Sequence, residues 1–340
     1  MAHRVRMSSA PTHRRPARTT PRDPLPAVPV PNGRDGAVGL SRAAVRHGVS
    51  AGDLERLGRG VVVATPSDVQ PIRRREEERR LLLAAQASSL RCDRASISHF
   101  AGAVALGVPT YGPLVRACLT VASGTDLRHL AGAHLHRATV RPEDVVEIGG
   151  FRVLGVARTV LDIAREHGVV AGVVAADHAL HHGLIDENEL QDVLAHMTRW
   201  PGQQRARATA ALADGRAESP LESVSRIRLL EAGLPAPELQ VEFCDQNGEY
   251  ITKSDYYWPE FGVVGEADGA SKYDEEGRVR LRQDETHTAL LRTGLEVVRW
   301  GWPDLYPFRH TVREIERAFL RGARPGSPRR RWGVLLPRVA

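Results

Sequence analysis

The stretch Asp255-Tyr256-Tyr257-Trp258-Pro259-Glu260-Phe261-Gly262-Val263-Val264-Gly265-Glu266-Ala267-Asp268-Gly269 decides how this chain is read. Glu249–Trp258 is dense in aromatic and β-branched residues and predicts a strand; Pro259–Gly262 reads as a turn, and Val263–Asp268 as the next strand. Upstream, Leu239–Cys244 is a further strand, joined to the first through Gln246-Asn247-Gly248. A two-residue turn at Glu260-Phe261 pairs positions whose numbers add to 521, which sets Asp255 opposite Glu266 with Cβ atoms about 4.5–5.5 Å apart. Asp268, two residues past Glu266, projects from the same face. A hard divalent cation relieves the repulsion among such carboxylates. Mg²⁺, for which Mn²⁺ substitutes, is held by a few carboxylates together with waters and phosphate oxygens. Asp255, Glu266 and Asp268 would then converge on one patch, the arrangement that metal-assisted phosphodiester cleavage needs.

The flanks extend the pattern. Ser219-Pro220-Leu221-Glu222 predicts a helix start with Ser as N-cap, Pro at N1 and Glu at N3. Leu221, Val224, Ile227 and Leu230 recur along one side, and Gly233 ends the helix. Glu222 has two compatible readings, a capping-box partner and a contributor to the carboxylate patch. After the patch come a predicted helix over 279–292, a strand over 295–300 and a helix over 310–319.

This series, Asp255 through Lys272 and Tyr273, preceded by Ser-Pro-Leu-Glu222 and followed by Gly294-Leu-Glu-Val-Val-Arg-Trp300, resembles the Vsr-like (very-short-patch-repair-like) branch of the PD-(D/E)XK nucleases. The resemblance covers roughly residues 217–320 and implies a restriction-endonuclease-like α/β domain with Asp255 and Glu266 on the metal and Glu222 contributing from the helix. The superfamily signature places a water-orienting Lys two residues past the Glu; here that position is Asp268, as in much of this branch, and Lys272 is the candidate replacement. Relatives carry a Glu-Lys pair at the start of the following helix, where this chain has Gln283-Asp284.

Further upstream, Ser98-His99-Phe-Ala-Gly-Ala-Val-Ala-Leu-Gly107 and Ala157-Arg158-Thr159-Val-Leu-Asp162 resemble bacterial proteins in which an AbiEi-type antitoxin winged helix precedes such a nuclease-like domain. Helices over 41–47 and from Ser50 to near Gly58, then a strand over 60–64, give a winged helix-turn-helix in reduced form. Between them and the nuclease-like part, helices over 72–90, 98–106, 158–165, 171–182 and 186–196, with strands over 115–121, 134–136 and 145–153, predict a mixed α/β unit. The fold class is thus α/β in its C-terminal domain and α+β overall. The expected organisation is a disordered basic arm (1–37), a winged-helix-like segment (38–75), a mixed α/β middle domain (76–215), the nuclease-like domain (216–320) and a disordered basic tail (321–340).

Composition sets the class. The chain has 340 residues and a net charge of +6, and residues 1–37 hold seven arginines against two acids. Such a balance suits a polyanionic partner. Only two of the 47 basic side chains are lysines, Lys253 and Lys272, and both fall beside the carboxylate patch. No apolar run reaches membrane-spanning length, and Cys92, Cys118 and Cys244 are too scattered for a disulfide framework, so a reduced cytoplasmic setting is expected. His178, His181 and His182 with Asp177 have metal-compatible helical spacing but read as a solvent-facing polar stretch; His99 reads as a local capping or packing residue, and His287 as a possible neighbour of the patch. Arg158 and Asp162 are spaced for an i,i+4 ion pair. The expected function is a Mg²⁺-dependent DNA endonuclease with an antitoxin-like N-terminal region, with DNA and a cognate toxin or other protein as partners. The alternative is a non-catalytic DNA-binding regulator, or a type IV toxin–antitoxin antitoxin, built on the same fold.

Overall fold

The computed structural model describes residues 30–31, 46–47, 49–50, 54–58, 61–64, 73–92, 94–125, 129–130, 132–244, 248, 250–268, 294–322 and 333–335. Among them the protein is a mixed α/β molecule built on two five-stranded mixed sheets and a small three-stranded one.

The small sheet joins β1 (Val30–Pro31), β2 (Leu54–Gly58) and β3 (Val61–Ala64) in the order β1-β3-β2. This corrects the helix expected from Ser50 to Gly58. The Val61-Val62-Val63 run needs a ladder partner for its backbone groups, and Leu54–Gly58 supplies it antiparallel, with a register shift between Arg56 and Gly58. Val30–Pro31, expected within the disordered arm, pairs on the other side of β3.

The middle unit begins with α1 (Arg73–Ser89) and β4 (Ser96–Ser98), which runs directly into α2 (His99–Ala105). β5 (Cys118–Ala122), β6 (His134–Ala138), β7 (Val145–Ile148) and β8 (Phe151–Leu154) complete a sheet in the order β6-β5-β4-β8-β7. The single strand expected over 145–153 is a hairpin, because Gly149 and Gly150 both take positive φ (57° and 80°) and reverse the chain in two residues. Helices α3 (Val156–His167), α4 (Val169–His181), α5 (Glu187–His196) and α6 (Gln203–Leu212) follow.

The C-terminal unit comprises α7 (Pro220–Glu231), β9 (Glu238–Cys244), β10 (Tyr250–Trp258), β11 (Val263–Ala267), β12 (Glu296–Trp300) and α8 (Arg309–Gly322). β9, β10 and β11 form an antiparallel meander, and β12 lies parallel to β11. In α8, Thr311, Ile315, Ala318 and Phe319 are buried at helical spacing, which turns one face onto the sheet. A last strand, β13 (Gly333–Leu335), pairs antiparallel with β9 and covers the sheet's far edge, where a disordered tail was expected.

The two larger units meet at α4 and α7. Helix α4 is apolar around most of its circumference: Ala171, Ala175, Ala176 and Ala179 join the middle core, and Val174 joins the core of the C-terminal sheet. A helix hydrophobic on all sides is one packed from both sides. Asp177 of α4, expected on a solvent-facing stretch, is fully buried and accepts from Arg226 of α7 at 2.8 Å.

Candidate functional site

Strand β10 pairs Tyr256 with Gly265, Tyr257 with Val264 and Trp258 with Val263. This is the register read from the sequence, and its next step sets Asp255 across from Glu266. The turn is four residues, Pro259 to Gly262, and is centred on the same two positions. On its other flank Glu266 lies beside Arg299 of β12. The Asp255 carboxylate accepts from the Ala267 backbone N–H at 2.7 Å, so it is turned towards β11. Asp268 follows the end of β11, where its N–H donates to the Trp300 carbonyl at 2.8 Å, and its side chain is half-buried.

Glu222 stands at the start of α7. Its backbone N–H donates to Ser219 Oγ at 3.2 Å, the N-cap bond expected from Ser-Pro-Leu-Glu. Its carboxylate accepts from the N–H of Glu218 at 2.9 Å, one residue ahead of the N-cap itself. Glu222 Oε2 also accepts from the side-chain amide of Gln240 at 2.7 Å. Glu222 is therefore a capping residue and a member of the patch at once.

Gln240 was not singled out in the sequence, and it is what ties the patch together. Its Nε2 lies 2.7 Å from Glu222 Oε2 and 3.5 Å from Asp255 Oδ1. The β9–β10 register places it opposite Asp255, between the Leu239–Tyr256 and Val241–Ser254 pairs. Its backbone is left-handed, with φ of 56°, an arrangement that costs a non-glycine residue about 1–2 kcal/mol. The consequence is visible in the packing. Leu239 joins the core with Tyr256 and Trp258, whereas Val241 joins the opposite one with Phe243 and Tyr257. Residues two apart on a strand share a face, and the left-handed residue between them resets that alternation. The sequence does not set it apart, because Glu238, Gln240 and Glu242 alternate regularly with Leu239, Val241 and Phe243.

Lys253, one of the two lysines, pairs at 2.5 Å with Glu218, the residue whose N–H holds Glu222. Lys272, Gln283, Asp284, His287 and the helix expected over 279–292 lie outside the described residues. The i,i+4 pair of Arg158 and Asp162 is present at 2.8 Å and buried.

Glu222, Asp255 and Gln240 fit a hard cation in donor type. Gln240 Oε1 is buried with no hydrogen-bond partner, and an acceptor left over beside two carboxylates is what a cation satisfies. Mg²⁺ needs only one or two protein carboxylates, the rest of its shell coming from water and phosphate. Glu222, Asp255 and Glu266 do not form a compact trio. Among the described residues, the sets of three metal-ligating side chains lie in the middle unit.

No family model matches the chain. It is 28% identical over 170 residues to two uncharacterized proteins of Mycobacterium tuberculosis, Rv2248 of strain H37Rv and MT2308 of strain CDC 1551. That alignment covers 50% of this chain and 60% of each relative. A crystal structure of the RV2827C protein from Mycobacterium tuberculosis aligns over 58% of this chain and 71% of its own, at 16% identity and a TM-score of 0.33.

Proposed function

We propose that residues 216–320 are a PD-(D/E)XK-type nuclease domain of the Vsr-like branch, cleaving phosphodiester bonds in DNA with Mg²⁺. The observation that carries this reading is the bridge from Gln240 to Glu222 and Asp255, set in a helix, a three-stranded meander and a strand parallel to its last member. Asp255 and Glu266 would hold the ion, with Glu222 beside them. The ion supplies charge neutralisation at the phosphate and a water of lowered pKa. Gln240 orients the Glu222 and Asp255 carboxylates, and the Ala267 N–H fixes the second oxygen of Asp255. Asp268, just past the end of β11, is the proposed supporting carboxylate, and Lys272 is the proposed partner of the attacking water. The AbiEi-like region upstream belongs to the same proposal, as a module that brings the domain to DNA or to a cognate toxin in a cytoplasmic setting.

One observation favours the alternative, a regulator or antitoxin that binds without cutting. The Glu222 and Asp255 carboxylates already accept from backbone N–H groups of Glu218 and Ala267, as structural carboxylates do. Incubating the full chain with supercoiled plasmid and Mg²⁺ or Mn²⁺ separates the two. Cleavage that falls at least about a hundredfold in Asp255→Asn and Glu266→Gln, with both variants folded, supports catalysis. Salt-sensitive binding without cleavage, unchanged by either substitution, supports the regulator.

A further inference from the structure

A second cluster of chemistry-bearing side chains lies in the middle unit and uses none of the residues above. Across the sheet, Ser98 of β4 pairs with Cys118 of β5, and Cys118 with His134 of β6. One step along, Thr120 pairs with His136. The parallel β5–β6 register therefore stands a thiol and two imidazoles in adjoining rows. His99, the first residue of α2, enters from the end of β4, and Glu166 reaches in from the last turn of α3.

The ligating atoms of His99, Cys118 and His136 all lie within 4.8 Å of one another, and so do those of His134, His136 and Glu166. The rings of His99 and His136 stack with centroids 3.9 Å apart. Glu166 Oε2 lies 3.6 Å from His136 Nδ1 and 3.9 Å from His99 Nε2. Ser98 Oγ holds His99 Nδ1 at 2.9 Å and is itself held by Thr120 Oγ1 at 2.9 Å. That is the outer bond that orients a metal-binding imidazole and leaves its Nε2 for the ion.

Two observations set this cluster apart from an ordinary packed histidine pair. His136 Nε2 is buried and has no hydrogen-bond partner. His99 is 2% exposed and holds a left-handed backbone, φ 52°, at the head of its helix. A buried orphan nitrogen and a strained backbone each cost stability, and such outliers cluster at functional sites.

We infer that His99, Cys118 and His136 form a Zn²⁺-binding site, with the fourth position taken by water. Two imidazoles and a thiolate are the donor set of zinc, not of Mg²⁺. Bonds of about 2.0–2.3 Å in a tetrahedron set ligand atoms roughly 3.5 Å apart, so the set has about an ångström to close. Burial holds both imidazoles below their usual range, His136 at about 4, which keeps them in the neutral, ligating form. Coordination replaces the thiol proton of Cys118, and one proton leaves to solvent for each ion bound. Glu166, half in solvent, stands beside the cluster and also lines a cleft of about 670 Å³ with Arg165, Trp200 and Arg205.

Co²⁺, a spectroscopic stand-in for Zn²⁺, tests the site in the full-length chain. The expected result is one tetrahedral cobalt per chain with a thiolate-to-cobalt charge-transfer band, displaced by Zn²⁺. The carboxylates of Glu222 and Asp255 cannot produce that band, so the outcome is independent of the nuclease reading. The band should survive in Cys92→Ser/Cys244→Ser and vanish in Cys118→Ser, and His136→Gln should weaken binding at least about tenfold. Folded wild-type protein that gives no thiolate band overturns the proposal. So does a band that persists in Cys118→Ser, or one lost in the Cys92→Ser/Cys244→Ser protein while that protein stays folded.

Discussion

The side-chain amide of Gln240 donates to the Glu222 carboxylate at 2.7 Å, from a residue whose own backbone is left-handed in the middle of strand β9. The bond joins the first turn of α7 to the sheet. The backbone twist that permits it also moves Val241 to the opposite core from Leu239. Geometry at the patch and packing of β9 are thus one arrangement, held at a conformational cost.

That cost is measurable. In an ordinary strand, glycine is weaker than alanine. At position 240 the order should reverse, with Gln240→Gly more stable than Gln240→Ala by about 1 kcal/mol, since only glycine adopts positive φ without a Cβ penalty. Urea midpoints of the two variants decide it, and an alanine variant as stable as the glycine one would remove the left-handed assignment.

The Asp177–Arg226 pair joins the two larger units and is buried on both sides. Arg226→Ala should lose about 3–5 kcal/mol by leaving a buried carboxylate unpaired, and Asp177→Leu/Arg226→Met should recover most of it. The loss should depend on pH. Burial raises Asp177 above its usual 3.8, against the pull of Arg226, and removing Arg226 raises it further. Between the unfolded value and the raised folded one, the folded chain holds the extra proton, so stability rises as the pH falls. The Arg226→Ala deficit should therefore shrink on acidification towards pH 3.8. Denaturation across that range, wild type against variant, would expose a constant gap if the pair were not buried as described.

Glu76 behaves in the opposite sense. The hydrogen bond from Arg79, aided by Arg80, outweighs burial and holds its carboxyl at about 2 instead of 4.5. Its contribution is complete above pH 4.5 and is lost as the pH falls towards 2. Glu76→Gln should consequently be less stable than wild type at neutral pH and match it near pH 2. The gap should narrow in high salt, because the pairs are partly exposed.

Gly265 is required by a neighbour. A Cβ there would stand 2.6 Å from the Trp300 ring and 3.2 Å from that of Trp258. Gly265→Ala should cost about 1–3 kcal/mol as an overpacked core site. A thermal midpoint unchanged from wild type would show that the Trp300 ring can move aside.

The elements legible in the sequence are those decided by neighbours along the chain. Ser219 and Pro220 announce the start of α7 because caps are local. The Asp255–Glu266 register followed from strand alternation and the turn at Pro259–Gly262, and the ladder from Tyr256–Gly265 to Trp258–Val263 has it. Leu54–Gly58 misled because its apolar spacing suits a helix as well as a strand, and only the partner Val61–Ala64 selects the ladder.

Residue order alone therefore determined the hairpin register, the start of α7 and the identity of the carboxylates on β10 and β11. Tertiary structure decided the rest. It reset the alternation at Gln240, buried Asp177 against a helix 49 residues away, and added β13 to the edge of β9. It also gathered His99, Cys118 and His136 from three separate elements. The physical reason is that alternation and capping depend on a few adjacent φ/ψ angles, whereas burial, edge pairing and ligand convergence depend on which distant segments pack together. Single-residue chemistry does not encode that until the chain has closed on itself.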